Sequence, residues 1–563
     1  MSKLLKPLYS WYAKLFSPKV IVPIFLALVA ITSRFWQLGK IPAGITWDEA
    51  ALGYVGRMLV TTFHDEHLNF LPTTLISFGD YKSPLAFYIT GVFTYLLDIN
   101  PFATRLPFVL FGLLSIGLAG YLTWLLWKNV WYSWLATWLV ITMPWHFMHS
   151  RAGFEVGMTL TWYYLIFIGW LGWRNNLFNR NHLLSKTTKW LDIIKQALWP
   201  SLIVIGSIAS LYTYHAAKVV IPLTWLAITG YEISQNKSKW LQKSILKQVL
   251  LTALISLGLS LPLIYDLFFG LGLERAAQTT IFGQLGWLAT GLTIIKNLAA
   301  HLSLEFLLWG QTNNLRHITP EFGVFLLGHL LLFWLGITYA LAKLINLLAR
   351  QRRQTLWIKL KDWFRLKSDN QSSISPWFWL IILLITLLPS AVGNQSPHAN
   401  RAMLAILPTV VLMIVGVAQL RRETSQQVFA LVVGGCLLIL ALQFGDWWRY
   451  YFGRYQQQAS TDWLVGYESA VKLAYQARQE GKRVKLTDHY GQPFIFYAFY
   501  NHLPIEYYRQ FRLDNLDLGS IKITDLNHFQ LLIAAPEEKL PIPATSEILG
   551  SNNQPAFYVY EVE

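Results

Sequence analysis

Two adjacent carboxylates, Asp48 and Glu49, lie in the stretch Ile45-Thr-Trp-Asp-Glu-Ala-Ala-Leu-Gly-Tyr54, directly after the first apolar segment long enough to cross a bilayer. Ionisable groups at that depth are costly unless they have a partner or a task. An acidic pair can complement the positive end of a helix, or a carboxylate can take a proton as general base. Residue type alone does not choose between the two. The position at a span exit, with Trp47 just before, favours the second.

Other polar patches recur where apolar segments begin or end. Gly79-Asp-Tyr-Lys82-Ser-Pro84 sets a lysine before a proline-started apolar helix. It suits a phosphate at the membrane surface, or plain snorkelling. Asn100-Pro-Phe-Ala-Thr-Arg105-Leu-Pro places an arginine at the start of another span, as a ligand group or an anchor. In His149-Ser-Arg151-Ala-Gly153-Phe-Glu155, Arg151 and Glu155 are four apart and suit a pair along one helix face. Tyr212-Thr-Tyr-His215-Ala-Ala-Lys218 gives a histidine and a lysine in a tight hairpin between two spans. His301 and Glu305, also four apart, fit a metal ligand pair or a helical contact. Gln395-Ser-Pro-His398-Ala-Asn400-Arg401 opens a span with two basic side chains suited to an anionic headgroup. Together these residues gather carboxylates and cations. The chemistry they suit is departure of a lipid phosphate and attack by a hydroxyl or similar nucleophile. A carboxylate takes the acceptor's proton, and cations stabilise charge on the departing phosphate.

The elements that must position them follow from composition. Of 563 residues, 54% are hydrophobic and 13% charged, about half the charged share of a soluble protein, which implies a multi-pass membrane protein. Candidate spans are 20–38, 84–98, 106–127, 131–148, 156–173, 198–214, 217–233, 248–270, 323–345, 376–393, 402–420 and 426–445. Segments 281–295 and 296–310 read as interfacial or re-entrant. Lys3, Lys6, Lys14 and Lys19 precede a long apolar core without a clear cleavage site, so the first span is expected to stay. Basic clusters at Arg174–Lys189, Lys237–Lys247, Arg350–Lys367 and Arg421-Arg422 fall on one side, the cytoplasm by the positive-inside rule. The net charge of +16 resides largely in such loops, so nucleic acid is not expected as a partner. Single Cys436 excludes an intrachain disulfide. The opposite side receives Asp48, Arg151 and the tail. Three segments separate Asp48 from Arg151 where parity needs an even number, so 84–98, the shortest, or a neighbour is expected to be partial or tilted. The expected division is a membrane domain over 1–445, with an outer loop 39–83, and an exoplasmic α/β domain over 446–563. In the latter, 461–479 reads as an amphipathic helix, and Val484–Leu486, Gln530–Ala535 and Ala556–Val562 as strands.

Trp47-Asp48-Glu49-Ala50, then Lys82-Ser83-Pro84-Leu85 and Thr104-Arg105-Leu106-Pro107, resembles the GT-C glycosyltransferases, more narrowly the protein mannosyltransferase and aminoarabinose transferase group. Ser83 stands where that group commonly has proline. Ser150-Arg151-Ala-Gly153-Phe-Glu155 is similar to the superfamily's second acidic motif, but a lone Glu155 replaces its Asp or Asp-Asn-Glu run, which argues against a divalent-metal requirement. The resemblance implies an α-helical polytopic fold of about 11–13 transmembrane helices with a small C-terminal exoplasmic α/β domain. It implies inverting transfer of one sugar from a polyprenyl-phosphate donor to a glycan, lipid or protein acceptor, on the periplasmic or extracellular face of a bacterial inner or plasma membrane. It assigns Asp48 as general base, Glu49 as its partner or a substrate contact, and Lys82 and Arg105 to the donor phosphate, with His398 and Arg401 beside them. Arg151, Glu155, His215 and Lys218 are secondary site candidates. Two other readings stand beside it. A flippase or transporter for a lipid-linked sugar should show repeats and mid-span polar residues. An O-antigen polymerase or ligase leans on late exoplasmic loops.

Overall fold

The computed structural model describes residues 17–178, 190–240, 242–270, 278–284, 286–311, 314–350 and 374–562. Lys3, Lys6, Lys14, Arg180, Lys186, Lys189 and the basic run from Arg352 to Lys367 lie outside the described residues, as do the side chains of Lys237, Lys239, Lys243 and Arg350. Among the described residues, six helices are long and apolar enough to cross a membrane: Pro18–Phe35, Pro101–Trp127, Ile245–Phe269, Leu327–Ile345, Ala399–Glu423 and Gln426–Phe452. Shorter apolar helices accompany them at Leu85–Leu97, Val130–Thr142, Ala197–Thr213 and Pro376–Ala391. The chain is built as a multi-pass membrane protein.

Helix α1 (Pro18–Phe35) leads into an irregular turn and then into α2 (Trp47–Thr62). The stretch 39–83 is thus more than a loop. Helix α2 starts at Thr46 because Thr46 and Glu49 cap each other's backbone N–H, a reciprocal capping box. Its run Ala50–Met58 is almost wholly buried. One core joins Ala50, Leu52 and Val55 to Phe87 and, from the C-terminal region, to Tyr467, Phe496 and Phe557. Helix α2 is therefore wedged under the C-terminal domain.

A hairpin of β1 (Leu75–Ser77) and β2 (Asp80–Lys82) follows. Its turn, Phe78-Gly79, has φ of 57° and 71°, both positive as a two-residue primed turn requires. Helix α3 (Leu85–Leu97) packs along α2. At 13 residues it reaches about 20 Å, short of a ~30 Å hydrocarbon core. Helix α4 (Pro101–Trp127) is long enough to cross, and α5 (Val130–Thr142), as short as α3, is followed by α6 (Pro144–His149). Helices α7 (Glu155–Phe178), α8 (Trp190–Thr213), α9 (Ala217–Trp240) and α10 (Lys243–Phe269) follow. Helix Trp287–Ala300, in the stretch read as interfacial or re-entrant, exposes Trp287, Leu288, Leu292 and Ile295.

The last long helix ends at Phe452 and the α/β region follows. Helix Tyr467–Gln479 lies within the stretch read as amphipathic. The sheet comprises β3 (Val484–Leu486), β4 (Leu516–Leu518), β5 (Leu531–Ala534), β6 (Ser546–Leu549) and β7 (Pro555–Glu561), in the order β4-β3-β5-β7-β6. β3 runs parallel to β4 and β5, whereas β7 runs antiparallel to β5 and β6. The sequence marked β3, β5 and β7. It missed β4 and β6, short strands with exposed residues at one or more positions.

Candidate active site

Glu49 and Arg105 form a buried clamp. Glu49 is 1% exposed and accepts hydrogen bonds from Thr46 N, Gly153 N, and Nε and Nη2 of Arg105 at 2.9–3.2 Å. Arg105, fully buried, also donates to the carbonyls of Leu38, Pro42 and Gly44. A guanidinium has five N–H donors, and these contacts occupy all five. Arg105 therefore has no N–H left for a phosphate. Its position at a span start, which suited a phosphate contact in the sequence, serves to tie the 38–44 turn to α2.

Arg151 does the same one turn of chain earlier. It donates to the carbonyls of Ser33, Arg34, Trp36 and Ile41 at 2.7–3.1 Å, with its guanidinium 4.9 Å from the Phe452 ring centre. A cation at the C-terminal carbonyls of α1 is favoured by the helix dipole. The expected pairing of Arg151 with Glu155 along a helix does not form, because α7 begins only at Glu155 and Arg151 turns back to α1. Together the two arginines hold seven carbonyls between Ser33 and Gly44. That segment delivers Asp48.

Asp48 points elsewhere. Its side chain is 38% exposed and pairs through Oδ1 with Lys82 Nζ, whose side chain is 5% exposed. The β1–β2 hairpin ends at Lys82, which is how a lysine 34 residues along the chain reaches the start of α2. Burial works against the Lys82 ammonium, but Asp48, Glu155 and Asp80 outweigh it and hold the group above the ordinary lysine value. The structure thus brings Asp48, Lys82 and Glu155 together.

The late basic residues assemble beside this cluster. His398 lies 4.8 Å, ring to ring, from His317, which lies 5.9 Å from His149. Phe154, next to Glu155, packs on both His149 and His317. Arg316 stacks over Trp47 at 5.2 Å, so the histidine group adjoins the start of α2. Burial, then Arg401, His149 and Arg316, push His398 down to about 3. Burial likewise holds His317 well below its ordinary value. Arg316 and His317 were not singled out from sequence. Both sit in the mixed stretch 271–322, where neither hydropathy nor spacing marks them.

The hairpin between α8 and α9 meets the same region, since Asn400 Nδ2 donates to the Tyr214 hydroxyl at 3.4 Å. His215 and Lys218 follow Tyr214 directly in the chain. Lys218 also lines an apolar cavity of about 610 Å³ between α7, α8, α9 and α10. At its other end Glu232 accepts from Trp170 Nε1 at 2.9 Å and pairs with Arg174. Fourteen residues of α9 separate Lys218 from Glu232, about 21 Å of helix. His301 binds Asn297 O and Ser390 Oγ through its two ring nitrogens at 2.7 Å, so both are already engaged. Among the described residues no group of three or more His, Cys, Asp or Glu is placed to hold a metal ion.

The chain shares its overall fold with solved structures of ArnT. No family model matches the sequence and no curated protein matches it. Among solved structures the chain is similar to ArnT from Cupriavidus metallidurans bound to undecaprenyl phosphate, with TM-score 0.52, 13% identity, and coverage of 95% of this chain and 97% of that one. It is similar also to the apo state of the same protein, with TM-score 0.50, 10% identity and coverage of 96% and 98%.

Proposed function

We propose that this protein transfers one sugar from a polyprenyl-phosphate donor to a hydroxyl or similar acceptor at the outer membrane face, the periplasmic side of a bacterial inner membrane. The similar ArnT structure holds undecaprenyl phosphate, and the apolar cavity below Lys218 offers a place of matching chemistry for such a chain. The acceptor is a group with a removable proton on glycan, lipid or protein. Asp48 takes that proton while the acceptor attacks the anomeric carbon. The bond from that carbon to the phosphate oxygen breaks, and polyprenyl phosphate leaves with the electron pair. Lys82, Lys218, Arg401 and His398 stabilise the charge on the departing phosphate. Attack from the face opposite the leaving group inverts the anomeric centre.

The observation that carries this reading is the split within the acidic pair. Glu49 is saturated and buried, while Asp48 keeps 38% of its side chain exposed beside a lysine. The donor phosphate competes for Lys82 and so releases Asp48 as base at the moment it is needed. Mass analysis of surface glycans in a deletion strain identifies the sugar and acceptor. With those substrates and reconstituted protein, Asp48→Asn is expected to lower kcat by about 10²- to 10⁴-fold without changing the unfolding temperature. Retained turnover removes Asp48 as the base.

A further inference from the structure

The three stacked histidines carry more than a positive surface. His149 Nδ1 is hydrogen-bonded to the Trp145 carbonyl at 2.9 Å, which makes Nδ1 the protonated nitrogen of the neutral ring and leaves Nε2 a bare acceptor. That Nε2 has no partner among the described residues, and neither has Nδ1 of His317 or Nδ1 of His398. On the same segments Asn314 Oδ1, Ser396 Oγ and Asn400 Oδ1 are also buried without partners. Buried polar atoms are rarely left unpaired in a finished structure. Six of them on three segments that meet at one ring stack mark a place built to receive a polar group.

Charge narrows what that group is. The titratable and charged groups facing His317 are His398, His149, Arg316 and Arg401, and those facing His398 are Arg401, His149, Arg316 and His301. Arg401 comes from the 399–402 turn and reaches toward Thr279 O, at 3.5 Å. Arg316 faces Asp462, which also accepts from Leu315 N at 3.2 Å. Two guanidinium groups beside neutral imidazoles repel a proton until an anion arrives. We propose that His317 and His398 are a proton-uptake pair: when the phosphate of a polyprenyl carrier enters the chamber, a proton from solvent passes to the pair, and carrier affinity rises as pH falls. This rests on the reading that the chamber holds a polyprenyl-phosphate headgroup.

The sign follows from linkage. Without anion the pair is neutral across the physiological range. A full negative charge at hydrogen-bonding distance lifts an imidazole by about three pH units at the effective dielectric of a partly buried site. The same lift moves His398 from about 3 without anion up toward the ordinary imidazole value. Affinity is therefore pH-independent well above that value and rises toward about tenfold per pH unit below it, for each proton taken up.

The test is calorimetric titration of the full chain in detergent with a short-chain polyprenyl methyl phosphodiester, whose own charge does not change between pH 5 and 8. Runs in two buffers of different ionisation enthalpy count the protons. The expected result at pH 6 is uptake of roughly half to one proton and a Kd several-fold lower at pH 5.5 than at 7.5. In His317→Asn and His398→Asn, each checked for retained thermal unfolding, both effects are expected to shrink. The wild-type count stands without any variant. Binding with no proton uptake and a flat pH profile overturns the proton-uptake pair and leaves the transferase reading intact. Uptake that persists unchanged in both variants places the proton elsewhere and also overturns it. No binding of the phosphodiester at any pH overturns both.

Discussion

Glu49 takes four hydrogen bonds at 1% exposure, while Asp48, one residue earlier, keeps 38% of its side chain exposed beside Lys82. Successive residues on a helix point about 100° apart, so one capped first turn serves two regions at once. Around Glu49 and Arg105 the donors meet carbonyls and a carboxylate of the chain itself. Around His317 and His398 ring nitrogens are left over. The Glu49–Arg105 clamp consumes its hydrogen-bonding capacity in holding the 38–44 turn, and the chamber keeps capacity for a ligand. Charge and burial alone do not separate the two regions, since both hold buried cationic or basic groups. Satisfaction of their polar atoms does.

Breaking the clamp is expected to cost most. Arg105→Ala leaves the Glu49 carboxylate buried without its partner and frees three carbonyls of the 38–44 turn. Removing one partner of a buried ion pair costs about 3–5 kcal/mol. The expected outcome is a large fall in thermal unfolding temperature and in yield of folded protein, with activity per folded molecule lost because Asp48 is no longer held. If Arg105→Ala folds normally and loses only donor affinity, the phosphate role returns to Arg105. Opening the other side is expected to act on binding. Lys82→Ala removes a partner from a half-exposed carboxylate, a stability loss of at most about 1 kcal/mol. It also removes a charged donor to phosphate, expected to weaken donor binding roughly 10- to 100-fold. Binding titrations of donor and acceptor separate the two, and an effect confined to acceptor KM contradicts the assignment.

Several parts of this arrangement were legible in the residue pattern and others were not. Long apolar runs gave twelve expected spans, of which six helices among the described residues are long and apolar enough to cross a membrane, and the 84–98 segment stood out as the shortest. The strands of the C-terminal sheet showed where β-branched and apolar residues run together, as in Val484–Leu486 and Leu531–Ala534, and stayed hidden in Ser546–Leu549, which is largely exposed. Asp48 and Lys82 were marked by type and position. Their pairing was not, since it depends on a hairpin that carries Lys82 back over the start of α2. Arg105 illustrates the opposite difficulty. An arginine at a span start looks the same whether it meets phosphate or carbonyls, and only the return of the 38–44 turn decides. Arg316 and His317 carried no signal because their stretch has no periodicity and their partners, Trp47 and His398, are far away in sequence.

The smallest change tests whether the open region depends on that hairpin. Gly79 holds φ of 71°, and a Cβ placed there meets no atom within 4 Å. Gly79→Ala is therefore a conformational change without a steric one. Forcing a residue with a Cβ into the left-handed region costs about 1–2 kcal/mol. Lys82 lies three residues beyond this turn, and its register with Leu75 is set by it. The expected outcome is a slight fall in unfolding temperature together with a few-fold loss of donor affinity, the latter because Lys82 is held less firmly against Asp48. The Glu49–Arg105 clamp shares no residue with the hairpin and should be untouched, so Gly79→Ala and Arg105→Ala should add in a double variant. A double variant whose stability loss departs clearly from that sum shows that hairpin and clamp are one cooperative unit. The contrast between a saturated scaffold and an open chamber then gives way to a single coupled site.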